Sequence, residues 1–164
     1  MEFLVQVIFI GVVATMAIDI WAVILNKGFK LPTTNWGMVG RWFGHLPSGK
    51  YIHSPISSSE KIRFEHAIGW GLHYAIGIVY AYLYLLVVFY VVKDEPSLIT
   101  AMTFGLLTVL VPWLVLQPGL GLGFFAKLTD KPSTVRVINL SMHAIFGVAL
   151  YFGWVSSLTF ISTR

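Results

Sequence analysis

The stretch that decides the fold is residues 62–92, which read IRFEHAIGWGLHYAIGIVYAYLYLLVVFYVV. A helix needs about 20 mostly apolar residues to cross the hydrocarbon core of a membrane. This run is longer than that, and its charged residues and histidines all precede Tyr74. Three further apolar runs cover about residues 3–25, 98–116 and 135–161. We therefore predict an all-α, polytopic membrane four-helix bundle that forms a single transmembrane domain over residues 1–164.

The composition favours the same class of protein. The chain is 57% hydrophobic and 11% charged, whereas soluble domains have about 25% charged residues. It contains no cysteine, which excludes disulfide bonds and thiolate metal sites. The sequence also lacks a nucleophile elbow, a phosphate-binding loop and an HExxH motif. No catalytic residue can therefore be named, and the sequence leaves open whether the protein is an enzyme.

The basic residues predict the orientation. Nine of the eleven lysines and arginines lie in the segments that join the first helix to the second and the third to the fourth. Lys93 and Arg164 lie on the other side. Cytoplasmic loops are enriched in lysine and arginine, so we predict a bacterial inner-membrane protein with both long loops in the cytoplasm and both termini outside. The predicted partners are the lipid bilayer and a second copy or a membrane complex, and not nucleic acid.

Several polar residues lie in the cytoplasmic half of the predicted helices. An ionisable group inside the membrane costs roughly 2.5–3.5 kcal/mol on insertion scales, so it needs a partner or a function. On the fourth helix, three- and four-residue steps place the polar residues on one stripe. We predict one polar cluster, made of Asp19, Glu65, His66, His73, Gln117, Arg136, Asn139 and His143.

A short internal repeat relates two of these histidines. His73 is followed by Gly77, and His143 by Gly147, each at the start of an outward helix. This pattern predicts two parallel two-helix repeats about an axis along the membrane normal, with a site at the repeat interface.

Three chemistries fit the predicted cluster, and they stay open at this point. Imidazole and carboxylate ligands suit a transition metal, and the candidate ligands are Asp19, Glu65, His66, His73 and His143. A non-covalent haem b could be held by His73 and His143, with Gly77 and Gly147 making room for the ring. Asp19 paired with a histidine could serve a proton relay or a small-solute site. Each histidine could also simply hydrogen-bond to a neighbouring helix. Our leading hypothesis is a metal- or haem-binding, redox-linked protein; the alternatives are a proton or small-solute transporter and an accessory subunit of a larger complex.

Two segments outside the regular helices carry further candidates. Pro112 is expected to interrupt the third helix, and Gln117-Pro118-Gly119 to end it, either as unwound backbone lining a cavity or as a plain glycine-rich exit. The cytoplasmic loop of about 35 residues between the first two helices is rich in aromatic residues, and a loop of this length is usually functional. We predict a short interfacial helix starting at Trp36, with His45 and His53 either folded back as a lid or resting on lipid headgroups.

Five motifs carry a resemblance to a known family. They are Met16-x-x-Asp19-x-Trp21, Trp36-x-Met-Val-Gly-Arg-Trp-x-Gly-His45, Glu65-x-x-x-Gly-Trp-x-x-His73-Tyr, Pro112-Trp-x-x-x-Gln-Pro-x-x-Gly-x-Gly-x-x-Ala126 and His143-x-x-x-Gly147. In this order they resemble a bacterial inner-membrane family labelled domain of unknown function 2938, over nearly the whole chain. The resemblance implies a four-helix bundle and no particular activity. The family positions that it implies are Asp19, His45, Glu65, His73, Gln117 and His143.

Overall fold

The structure, a computed structural model, describes residues 2–162 and the side chains of residues 2–159. The helices in this range are α1 (Glu2–Phe29), α2 (Trp36–His45), α3 (Glu65–Val92), α4 (Leu98–Gly119) and α5 (Pro132–Ser162). Among these residues there is no strand, and α1, α3, α4 and α5 are each long and apolar enough to cross a membrane. The prediction of an all-α chain with four membrane-spanning helices is confirmed. Arg164, which the orientation prediction includes, lies outside the described residues.

The first helix is longer than predicted because its end is closed by backbone hydrogen bonds. Lys30 has a left-handed conformation with φ 55°, and its N–H donates to the Asn26 carbonyl at 3.1 Å. The N–H of Leu31 donates to the carbonyl of Leu25, also at 3.1 Å. The bond from Lys30 is that of an αL C-cap, and both bonds satisfy carbonyls that a helix end leaves without partners.

Pro112 interrupts the regular α-helical hydrogen bonding of α4, as predicted, but the chain stays helical through it. Pro112–Leu116 form a π-helical turn, and the helix continues to Gly119. The Gln117 N–H donates to the Pro112 carbonyl across the wider turn. A single π turn lets a helix absorb a proline and a change of register without ending.

The chain forms two compact units, each made of segments distant in sequence. The helix unit contains residues 2–32, 74–107 and 141–162, and the loop unit contains residues 33–73 and 108–140. In the helix unit, segments of α1, α3, α4 and α5 share an apolar core. Its fully buried members include Ile10, Ala14, Tyr84, Leu85, Ala101 and Leu150. The single transmembrane domain over residues 1–164 stays a prediction.

Glycine contacts join the helices of this unit in pairs. A Cβ atom on Gly11 of α1 would lie 2.5 Å from the Cα atom of Ile78, next to Gly77 of α3. A Cβ atom on Gly105 of α4 would lie 2.6 Å from the Cα atom of Gly147 on α5. Small residues allow such close approach of helices in membranes. Both helix pairs therefore use the same kind of contact, which supports the predicted internal repeat.

In the loop unit, α2 lies directly against the start of α3. A Cβ atom on Gly40 would overlap the carbonyl of Glu65, and one on Gly69 would overlap the carbonyl of Trp36. Asn35 caps α2 by accepting a hydrogen bond from the N–H of Met38 at 3.3 Å. The short helix predicted from Trp36 onwards is present, and glycine spacing explains how it packs.

Candidate functional site

The loop folds back onto the end of α4 through its backbone. The N–H of His53 donates to the Gly119 carbonyl, and the N–H of Ile56 donates to the Leu120 carbonyl, both at 3.1 Å. A helix end leaves carbonyls without partners, and here the loop supplies two of the missing donors. The glycine-rich exit from α4 is thus covered by the segment that carries His53.

Gly121 makes this close approach possible. Its φ is +83°, and a Cβ atom there would overlap the carbonyl of His53. A left-handed conformation in contact with another backbone strongly favours glycine. Trp42 closes the same region, because its indole N–H donates to the Tyr51 carbonyl at 2.9 Å and its ring lies against Gly119.

His53 is buried, and one of its ring nitrogens has no hydrogen-bond partner among the described residues. Its side chain is 7% exposed, and Nδ1 lies 3.2 Å from the carbonyl oxygen of Gly119. Because a carbonyl oxygen only accepts, we assign the ring proton to Nδ1. In the neutral ring, Nε2 is then an acceptor, and it is buried with no hydrogen-bond partner in the described structure.

Gln117 presents a second buried acceptor for which the described part of the chain supplies no donor. Its side chain is 5% exposed, and its amide nitrogen donates to Asn139 Oδ1 at 2.7 Å. The indole N–H of Trp113 donates to the same oxygen at 3.1 Å. These bonds fix the orientation of the amide, since the opposite orientation would bring two oxygens together. Gln117 Oε1 is left buried and unpartnered within the described residues.

A buried ion pair holds the loop in place. The Arg41 guanidinium donates to both oxygens of Glu65, with Nε to Oε2 at 2.8 Å and NH2 to Oε1 at 2.9 Å. Its third nitrogen donates to carbonyls of the loop at 3.2–3.3 Å, those of Ile56, Ser57 and Ser59. Hydrogen bonding to Glu65 raises the pKa of Arg41, although burial opposes this. Arg41 therefore stays charged and ties the loop to the first turn of α3.

The other predicted polar residues of the loop unit each contact a different neighbour. His73 stacks on Trp36 with ring centroids 3.9 Å apart, and the ring of His66 lies beside Gly37. His45 Nε2 is 2.9 Å from the Glu60 carbonyl, and its ring centroid is 5.3 Å from that of His53. Arg136 Nε donates to the carbonyl of Phe125 at 2.8 Å.

The predicted residues of the helix unit connect neighbouring helices. Tyr74 donates its hydroxyl proton to Asp19 at 2.8 Å, and His143 hydrogen-bonds to the backbone of Gly105. The space beside Gly77 is occupied by Thr15, and the space beside Gly147 by the backbone at Ala101. The room that the haem hypothesis requires at these glycines is thus filled by adjacent helices.

The candidate metal ligands do not form a recognisable metal centre. Within residues 2–162, no three histidines, aspartates or glutamates lie close enough together to hold one ion. Both oxygens of Glu65 are engaged by Arg41. The structure gives no support to the metal or haem hypotheses for Asp19, Glu65, His66, His73 and His143.

The polar centre in the structure contains Gln117 and Asn139, which were predicted to belong to one cluster, and His53, which was not predicted as part of it. Gln117 and Asn139 are brought together as predicted. His53 was considered for a lid or for contact with lipid headgroups, although the glycines after Pro118 are a signal that another backbone approaches there. The glycines alone do not show which other segment of the chain approaches them, which here is the segment around His53.

Comparison with protein families adds the family but no activity. The model of the family described as "Protein of unknown function (DUF2938)" matches residues 8–156. The chain belongs to this family. No curated protein and no solved structure matches it. Membership in DUF2938 confirms the resemblance that the five motifs predicted, and the family's function is itself unknown.

Proposed function

We propose that this protein is a membrane protein that binds a small, neutral solute through hydrogen bonds. The solute carries hydroxyl or amide N–H donors, and its site lies in the loop unit where His53 and Gln117 present their acceptors. The observation that carries the proposal is the pair of buried, unpartnered atoms, His53 Nε2 and Gln117 Oε1. His53 contacts Gly119 at the end of α4, and Gln117 lies in the same last turn, two residues before Gly119.

Both acceptors are buried and have lost their hydrogen bonds to water. Leaving a buried acceptor without a donor costs about 1–3 kcal/mol, and native structures contain few such groups. Two in one small unit are a substantial cost, which a solute that donates two hydrogen bonds would remove. A functional site is the usual reason for a protein to keep such a defect.

The charges in the unit favour a neutral solute over a cation. Of the acids in this unit, Glu65 is neutralised by Arg41 through two hydrogen bonds, and Glu60 and Asp130 are exposed. A cation held by His53 and Gln117 would have neutral ligands only, and a buried charge without a counter-charge is strongly unfavourable. This proposal develops the small-solute alternative from the sequence, on the predicted cytoplasmic side of the inner membrane.

The test uses substitutions that remove each acceptor while keeping the shape of the side chain. We expect His53→Phe and Gln117→Met to leave the unliganded protein about as stable as the wild type, because each removes one hydrogen bond and one unsatisfied acceptor together. Glycerol and acetamide are the probes, each at millimolar concentrations that are too low for non-specific cosolvent effects on stability. At concentrations well above its dissociation constant, one of them should raise the melting temperature of the wild type in mild detergent.

The two variants should each lose this thermal response. If both residues hold one solute, the double variant should lose no more than either single variant, because effects on one shared ligand are not additive. Ser57→Ala, at an exposed loop position, is the control and should respond like the wild type. The proposal is overturned if no donor-bearing probe stabilises the wild type, or if the variants keep the response.

A further inference from the structure

A second feature lies in the helix unit and is independent of the proposed solute site. It is an apolar groove of about 260 Å³ between α1 and α5. Its lining consists of Ala17, Ile20, Trp21 and Ile24 from α1 and Ile145 from α5. Ile20 and Trp21 each lie three or four residues from both Ala17 and Ile24, so the four residues form one stripe along the helix.

Trp21 forms a fixed wall of this groove. Its indole N–H donates to Ser141 Oγ on α5 at 3.0 Å, so the ring lies across from one helix to the other. Ile20 and Ile24 are 60% and 43% exposed. On a helix that crosses a membrane, such side chains face lipid chains.

Two lysines continue beyond the groove at the end of α1. Lys27 follows Ile24 by three residues on the same stripe, about 4.5 Å further along the helix axis. Lys30 follows in the left-handed position that ends the helix. Both are exposed, and neither is paired with an acid within the described residues.

We propose that this groove binds one anionic phospholipid, with an acyl chain along Ala17, Ile20 and Ile24 and the phosphate at Lys27 and Lys30. The apolar stripe and the adjacent positive charges match the two parts of such a lipid in the right order. The end of a helix carries a partial negative charge of about half an elementary charge, which opposes the phosphate. The two full positive charges of the lysines exceed it.

The experiment measures quenching of Trp21 by lipids with brominated chains. The protein is reconstituted in phosphatidylcholine vesicles that contain a small, equal fraction of brominated phosphatidylglycerol or brominated phosphatidylcholine. The Trp21 signal is the difference between wild type and Trp21→Phe. We expect phosphatidylglycerol to quench this signal several-fold more strongly than phosphatidylcholine.

Two sets of variants distinguish the contribution of the lysine charges from that of the apolar groove. Lys27→Gln with Lys30→Gln should abolish the preference, whereas the matched double change Lys50→Gln with Lys61→Gln, at exposed loop lysines, should keep it. Ala17→Phe fills the groove and should weaken quenching by both lipids. Equal quenching of the wild type by the two lipids would overturn the proposal, and so would a preference that survives in the Lys27/Lys30 variant. Because those lysines are exposed, their substitution tests the proposal even if Ala17→Phe does not fold.

Discussion

At the scale of single residues, Arg41 makes the most consequential bonds in the loop unit. One guanidinium neutralises Glu65 and also holds three carbonyls of the loop. We expect Arg41→Ala to lower the free energy of unfolding by about 2–3 kcal/mol, because it removes charge-assisted bonds and leaves a largely buried carboxylate without its partner. Arg41→Lys should recover only part of this loss, since an ammonium cannot reproduce the planar fork.

The measurement for Arg41 is chemical denaturation in detergent together with limited proteolysis. Cleavage between residues 46 and 61 should increase in Arg41→Ala, because the loop loses its anchor. The combined variant Arg41→Met with Glu65→Gln should be more stable than Arg41→Ala, since it leaves no uncompensated charge. Arg63→Ala, at an exposed position, is the control. Equal proteolysis of Arg41→Ala and Arg63→Ala would contradict this role of Arg41.

There is a physical reason why the partner of Arg41 could not be predicted from the sequence. Arg41 and Glu65 are 24 residues apart, and the contact depends on how α2 lies on α3. The same applies to His53 and Gly119, which are 66 residues apart. Depth along a helix follows from its constant rise per residue, so Gln117 and Asn139 could be predicted to share a level. The rotation and tilt of each helix decide its partners, and these depend on packing.

At the scale of helices, two glycines with different surroundings on α3 give a matched pair. A Cβ atom on Gly69 would overlap the carbonyl of Trp36, whereas one on Gly71 would meet nothing within 4 Å. We expect Gly69→Ala to lower the free energy of unfolding by about 1–3 kcal/mol through overpacking. Gly71→Ala should raise it by roughly 0.5–1 kcal/mol, because alanine is the better helix former.

Thermal unfolding followed by tryptophan fluorescence measures both changes, and Trp36 and Trp70 report on the contact. The two variants add the same methyl group to the same helix, so helix propensity cancels in their difference. A destabilisation of similar size at both positions would show that α2 does not depend on close contact at Gly69. Hydrophobic length predicted the four long helices, while the position of α2 required knowledge of which glycine faces a neighbour.

At the scale of the whole molecule, local composition was enough to predict the four spans. Apolar runs of sufficient length form helices in a membrane because every backbone polar group must be satisfied internally. The grouping of residues into a helix unit and a loop unit could not be predicted in this way. The helix unit combines three segments that are distant in sequence, and the loop unit combines two. Asp19 and His143 belong to the first unit, and His73 and Gln117 to the second.

The orientation of the whole chain is a prediction that single cysteines can test. The native chain has none, so Ser58→Cys, Glu95→Cys and Asp130→Cys, all at exposed positions, each create one reactive thiol. The positive-inside rule places residues 58 and 130 in the cytoplasm and residue 95 outside. In intact cells, a membrane-impermeant maleimide should therefore label only the Glu95→Cys protein, and permeabilised cells should show labelling of all three. Labelling of the Ser58→Cys protein in intact cells would reverse the predicted orientation and move the proposed solute site to the outer side.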